Sequence, residues 1–267
     1  MQAATKVLIG TPVYDRQVLA PYHEAVFGLL KAFRRSDVEF DTWLFEGTQI
    51  AASRNIIATK VLLDERYSHL LFIDADMGFG PGLIRKMLDF DQPVVGCVYP
   101  QRHHDYDAFA RTARSVEDPR AARLIAQRYA GGDADLHGAD TGRLTVRGSF
   151  VRAVRAGAAI LLIKREVLMR LRERFPELWG ESTSVAHRAL EIGDGLFQPF
   201  AQTLQSPTGM VYGEDYAFSH RWVEGCGGEI WSCFDETITH TGRERFVGNY
   251  SVRMRPKPQQ DAQGRDS

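Results

Sequence analysis

Within its first hundred residues the chain alternates short apolar runs with longer stretches of helical period, which restricts it to an α/β architecture. Lys6 to Val13, Val38 to Phe45, His69 to Asp74 and Pro93 to Tyr99 read as strands. Between the first two, Ala20 to Arg35 puts Val26, Leu29, Leu30 and Phe33 on one helical face. A second helix is expected over Ala51 to Glu65, with Ile56, Ile57, Val61 and Leu63, and Pro81 suits the first turn of a third, ending at Asp89. Strand and helix in this order predict βαβ crossovers, hence a mainly parallel central sheet with helices on both faces.

After Tyr99 the rhythm breaks. Residues 101–145 are polar and arginine-rich and read as an insertion, with a helix expected from Asp118 to Tyr129 and stopped by Gly131-Gly132. Alternation returns over 143–154 as a hairpin turning at Gly148, and AGAAILLI (156–163) reads as a buried strand feeding a helix from Arg165 to Arg174. Prolines and glycines between Phe175 and Met210 predict a long, loop-rich segment. A helix from Glu214 to Glu224 with Gly225 as its cap follows, then late strands in GEIWSCF and TITH. The expectation is a single domain over 1–250 and a flexible tail over 251–267.

Composition narrows the function classes. Thirty-three Lys and Arg against 34 Asp and Glu leave a net charge of −1, so no global basic field points to nucleic acid as a partner. No stretch reads as a transmembrane segment, although a peripheral membrane contact stays open, and no secretory leader is evident. The chain is expected to be cytoplasmic, with Cys97, Cys226 and Cys233 as buried free thiols.

The sharpest chemical signal is LLFIDADMGF (70–79), an apolar strand ending in Asp74 and Asp76. Carboxylates two apart at the C-terminal edge of such a sheet stand where open α/β sheets bind ligands. Hard oxygen ligands of this kind suit Mg2+ or Mn2+ carrying a diphosphate; the competing reading is an Asp-rich turn. Glu214 and Asp215 head a later helix, where acids also simply complement the helix dipole.

Taken in order, GTPVYD (10–15), ASRN (52–55), FIDADMGF (72–79), GEDYAF (213–218) and THTG (239–242) resemble GT-A glycosyltransferases. The pattern looks most like family 2-like enzymes, with a fainter likeness to a mannosyltransferase group, and covers about residues 6–245 without much of the insertion. The resemblance implies a single GT-A (Rossmann-like) domain with a loop-rich acceptor half. It implies that Thr11, Pro12, Tyr14 and Asp15 hold the base and ribose of a nucleotide-diphosphate sugar, and that Arg54 and Asn55 flank it. Asp74 would contact ribose, sugar or metal, Asp76 would ligate Mn2+ or Mg2+, and His240 would add a metal or diphosphate contact. Asp215 looks like the general base of an inverting transfer, with Glu214 as the near alternative. A UDP-sugar is the favoured donor and GDP-mannose the alternative; the acceptor would be a glycan, lipid-linked sugar, protein or small molecule. Independently of the resemblance, displacement at an anomeric carbon needs a carboxylate beside the acceptor hydroxyl and a cation on the departing diphosphate.

Weaker candidates surround this set. Placed just after the fourth strand, Arg102, His103 or His104 would meet diphosphate or donor sugar, unless the loop is simply solvated. Trp179 and Phe197 suit either an acceptor platform or core packing, and Arg243 and Arg245 either phosphate or solvent. His23 and His69 read as structural. One rival is a haloacid dehalogenase-type phosphatase, whose paired acids normally follow the first strand and precede Thr or Val; here two βα units come earlier and Met77 follows. A non-catalytic GT-A-like module that binds nucleotide or glycan is the other. No GxGxxG opens the first helix, which disfavours a nicotinamide-dependent dehydrogenase.

Overall fold

The computed structural model describes residues 5–139, 141–181, 193 and 195–254. Three parallel strands begin the central sheet: β1 (Thr5–Val13), flanked by β2 (Val38–Glu46) and β3 (His69–Ile73). Helices α1 (Ala20–Ala32) and α2 (Ile50–Leu63) make the crossovers. The chain then forms the short β4 (Met77–Gly78), α3 (Gly82–Phe90), β5 (Val94–Cys97) and β6 (Tyr99–Pro100). The insertion holds α4 (Tyr106–Thr112), α5 (Pro119–Ala126) and β7 (Tyr129–Ala130), and a hairpin of β8 (Val146–Arg147) and β9 (Phe150–Ala153) follows it.

Next come β10 (Ile160–Lys164), α6 (Arg165–Arg174), β11 (Trp179–Glu181) and β12 (Gly195–Phe197). The last elements are α7 (Glu214–His220), β13 (Ile230–Cys233), β14 (Ile238–Thr241), β15 (Arg245–Gly248) and α8 (Tyr250–Met254). Eight strands form the main sheet in the order β2-β1-β3-β10-β5-β13-β9-β8, with β15-β14-β4 a smaller sheet beside it. Strands β2, β1, β3, β5 and β13 share one direction, whereas β10 and β9 run against it, so the α/β sheet is mixed and mainly parallel.

Period-two alternation builds a core on each face. Val7, Ile9, Leu71, Ile73, Val95 and Leu162 meet α1 and α3. Leu8, Leu70, Phe72, Val94, Leu161 and Ile163 meet α2 and α6. Helix α2 lies close on β1 because Gly10 leaves room: a Cβ there would stand 2.3 Å from Ile57 Cγ2.

Several expectations are corrected. The helix placed at 118–129 stops at Ala126, since Tyr129 and Ala130 pair with Tyr99 and Pro100 in an antiparallel ladder. Helix α4, capped by the Asp105 carboxylate accepting from Ala108 N at 2.8 Å, was not anticipated. Gly225 caps nothing: α7 ends at His220 and runs into a π-helical turn, Arg221–Gly225. There the missing side chain admits the Phe175 ring, 2.3 Å from where a Cβ would stand. Residues 251–254, placed in the tail, belong to α8; the rest of the expected tail, and residues 182–192 and 194 of the loop-rich segment, lie outside the described residues. The three cysteines are free and buried. Among the described residues no helix is long and apolar enough to cross a membrane.

Candidate active site

The turn that follows β3 is pinned along its backbone. Asp74 N donates to Ala159 O at 2.8 Å, Leu19 N to Ala75 O at 2.9 Å, and Thr241 N to Asp76 O at 2.9 Å. Strand β4 pairs with β14, setting His240 opposite Met77. The alternation that points Leu70 and Phe72 toward α2 carries on to Asp74, and Arg54 of α2 meets it there. One guanidinium nitrogen donates to both Asp74 oxygens, at 2.9 and 3.1 Å. The other bonds Ala158 O at 3.2 Å, and Nε reaches Glu214 Oε1 at 3.5 Å across 160 residues of sequence.

Arg54 is only 2% exposed and lies 5.1 Å from the Phe72 ring, so its guanidinium is spent on Asp74, Glu214 and Ala158 O inside the protein rather than presented at the open edge where it was expected. Burial raises the Asp74 carboxyl, with Asp76 and Glu214 adding to the effect and Arg54 opposing it.

At the far side of the turn, Asp76 Oδ2 is approached by two groups. Arg102 NH1 donates to it at 3.0 Å, and His240 Nε2 stands 3.4 Å away. The other His240 nitrogen, Nδ1, is 2.9 Å from Pro100 O, and that carbonyl can only accept, so the ring hydrogen belongs on Nδ1. In the neutral ring this leaves the Nε2 lone pair facing a carboxylate oxygen. Two acceptors face to face suit a shared cation, and a histidine oriented by a carbonyl is a common metal ligand.

Asp215 opens α7 and accepts from Tyr216 N at 2.8 Å. Burial, then the neighbouring Glu214, pushes its carboxyl up to about 6. Three further residues stand around it that the sequence did not single out. Tyr216 donates its hydroxyl to Asp135 at 2.6 Å, and Asp135 is fixed by Gly131 N and Arg155. Tyr99 is buried within the field of Asp215 and Asp74, its ring edge-on to His240 at 5.8 Å. No spacing rule singles out Tyr99, Asp135 or Tyr216, because each joins the site through long-range packing.

The remaining candidates divide. With Gly10 opposite Phe72, the residues following β1 emerge on the same sheet edge as Asp74. Tyr14 is 67% exposed there and Pro12 half-buried, while Asp15 and Arg16 hold positive φ of 54° and 56°. Thr11 instead points inward, its hydroxyl bonded to that of Tyr22 at 2.7 Å. Asn55 is also interior and accepts from Phe200 N at 2.8 Å. Neither side chain is placed to touch a nucleotide, a correction to the expected set. His104 turns to Glu244 at 2.8 Å, and His69 pairs with Ser68, its pKa pushed down to about 4 by burial. Of the two readings held for Trp179 and Phe197, packing fits Phe197, which is fully buried, while Trp179 is half-buried under the Arg172 guanidinium at 3.8 Å. Among the described residues no cluster of three or more His, Cys, Asp or Glu is arranged to hold a metal by itself. Asp76 and His240 remain the pair whose donor chemistry fits one.

No protein-family model and no curated protein matches the chain. Among solved structures, A197 from STIV is similar over 92% of this chain and 94% of that one, with 13% identity and a TM-score of 0.45. GalNAc-T7 with UDP, GalNAc and Mn2+ is similar over 91% of this chain, with 10% identity and a TM-score of 0.45; this chain spans 45% of its length. A Bacillus anthracis structure described as a glucose-1-phosphate thymidylyltransferase in complex with a sucrose is similar over 63% of this chain and 74% of that one, with 9% identity and a TM-score of 0.31. At TM-scores under 0.5 these likenesses carry no weight for function, and the site's chemistry rests on its own geometry.

Proposed function

We propose that this chain is a metal-dependent glycosyltransferase that moves a sugar from a nucleotide-diphosphate sugar to an acceptor hydroxyl. The observation that carries the reading is Arg54, one buried cation joining the turn of Asp74 to the head of α7 at Glu214. Through it a cation-seeking carboxylate, Asp76, and a carboxylate of raised basicity, Asp215, belong to one assembly. Asp76 and His240 would hold Mn2+ or Mg2+, whose charge would stabilise the departing diphosphate. Tyr14 and Asp15, exposed at the same sheet edge, would meet base and ribose, and Arg102 the diphosphate.

Asp215 takes the proton of the acceptor hydroxyl. With a pKa near 6 it is ionised at neutral pH yet more basic than an ordinary carboxylate. Attack from its side, opposite the leaving diphosphate, inverts the anomeric centre. Glu214, held by Arg54, stays an orienting group. The phosphatase reading is disfavoured because Asp74, its required nucleophile, has both oxygens engaged by Arg54.

Thermal unfolding with UDP, GDP, CDP and dTDP, each with and without Mn2+, tests the donor site. A nucleotide at one hundred times its Kd stabilises by about 2.7 kcal/mol, roughly 5–10 °C for a chain of this size. One nucleotide is expected to give this shift only with Mn2+, and UDP is the first choice. Asp215→Asn is expected to keep the shift and lose sugar transfer; transfer at wild-type rate would remove Asp215 as the base.

A further inference from the structure

Asp76 is occupied within the protein by a side chain where the proposed reaction needs a metal ion. Arg102 NH1 and His240 Nε2 converge on the same oxygen, Oδ2, at 3.0 and 3.4 Å. The two sides of the pair differ in freedom. Asp76 is 21% exposed on a turn held by three backbone hydrogen bonds, whereas the Arg102 side chain is 54% exposed. His240 is set by Pro100, so the arginine is the member that can leave. Its stem crosses Gly242, where a Cβ would stand 2.9 Å from Arg102 Cδ. Glu244, the acid nearby in sequence, is taken by His104 at 2.8 Å.

We infer that Arg102 is a tethered counter-ion for Asp76, displaced by the divalent cation and then taken up by the nucleotide's diphosphate, so that metal and nucleotide bind cooperatively. The inference rests on the proposed donor site. A bare cation must compete with Arg102 for Oδ2 and must accept a neighbouring positive charge, so it binds weakly alone. A cation arriving with a diphosphate brings phosphate oxygens that accept the freed guanidinium, and competition becomes support. Coupling of this kind is reciprocal: metal raises nucleotide affinity by the same factor as nucleotide raises metal affinity.

The test measures Mn2+ alone by the EPR signal of the free ion, and UDP or GDP binding with and without Mn2+ by calorimetry. Arg102→Met is expected to bind Mn2+ alone about 3- to 10-fold more tightly, because an exposed ion pair and one positive charge are removed. It is expected to bind the nucleotide with Mn2+ about 10-fold more weakly. Gly242→Ala keeps the charge but pushes the arm off Asp76, and should tighten Mn2+ alone while largely retaining nucleotide affinity. A merely structural arginine would weaken both ligands together. Unchanged or weaker Mn2+ binding in Arg102→Met, with nucleotide and Mn2+ still bound by the wild type, overturns the counter-ion role alone. No Mn2+-dependent nucleotide binding by the wild type overturns this role and the glycosyltransferase reading together.

Discussion

Asp215 illustrates what one residue's surroundings do to its chemistry. Asp76, also half-buried, faces a cation and an imidazole, whereas Asp215 faces Glu214 and the interior and has its carboxyl pushed up to about 6. Such a group costs stability when it ionises. The unfolded chain loses this proton near the ordinary value of 3.8 and the folded chain only near 6, so between those values folded molecules bind more protons and stability falls as pH rises. The penalty is absent below the lower value and complete above the upper one. Asp215→Asn should therefore raise stability at pH 7.5 by up to about 3 kcal/mol and converge on the wild type at pH 3.5. Urea unfolding at the two pH values checks this; a variant less stable at pH 7.5 would mean that the carboxylate is favourably held. In the active wild type the same ionisation should appear as an acid limb near pH 6 in kcat/KM.

At the scale of elements, the site is a meeting of α2, the end of β3 and the head of α7. Arg54 supplies the charge link, and beneath it Phe200 stacks on Phe218 at 4.7 Å and meets Phe72 edge-on at 5.4 Å. Residues 199–203 are fastened from the π-helical turn, where Arg221 donates to Pro199 O, Ala201 O and Thr203 at 2.7–2.9 Å. This part of the segment expected to be loop-rich is thus a wedge between helices. The motif ASRN was legible as polar residues near the ligand edge, but α2 is buried along most of its length, so its polar side chains bond inside the protein. Removing the charge link leaves two acids facing an apolar interior. Arg54→Met should cost about 3 kcal/mol in urea unfolding, and Arg54→Met with Asp74→Leu should recover part of that loss. A double variant no better than the single one would show that the burden falls on Glu214.

For the whole molecule, the 101–145 insertion is held from the C-terminal side. Asp133 N donates to the Tyr250 hydroxyl at 2.9 Å, and Arg253 bonds Gln127 O at 2.8 Å and Asp133 at 3.0 Å. Tyr250 also meets the Tyr129 ring edge-on at 5.0 Å. Ending the chain at Asn249 should lower Tm by roughly 5–10 °C, from the loss of one buried aromatic and its bonds. It should also speed tryptic cleavage at Arg111, Arg114 and Arg120 of the insertion; an unchanged digestion pattern would mean that α8 is not the clamp. The sequence by itself determined strands β1, β2, β3 and β5, the hairpin at Gly148, the helix Arg165–Arg174 and the acids at a strand's end, because periodicity and turn chemistry are local and survive without a partner. Only the tertiary structure decided that β10 runs antiparallel between β3 and β5, that Arg54 faces inward, that Arg102 lies on Asp76 and that Tyr216 leans on Asp135. Those pairings join residues tens of positions apart, where a side chain's direction is set by what packs against it and no local pattern records the partner.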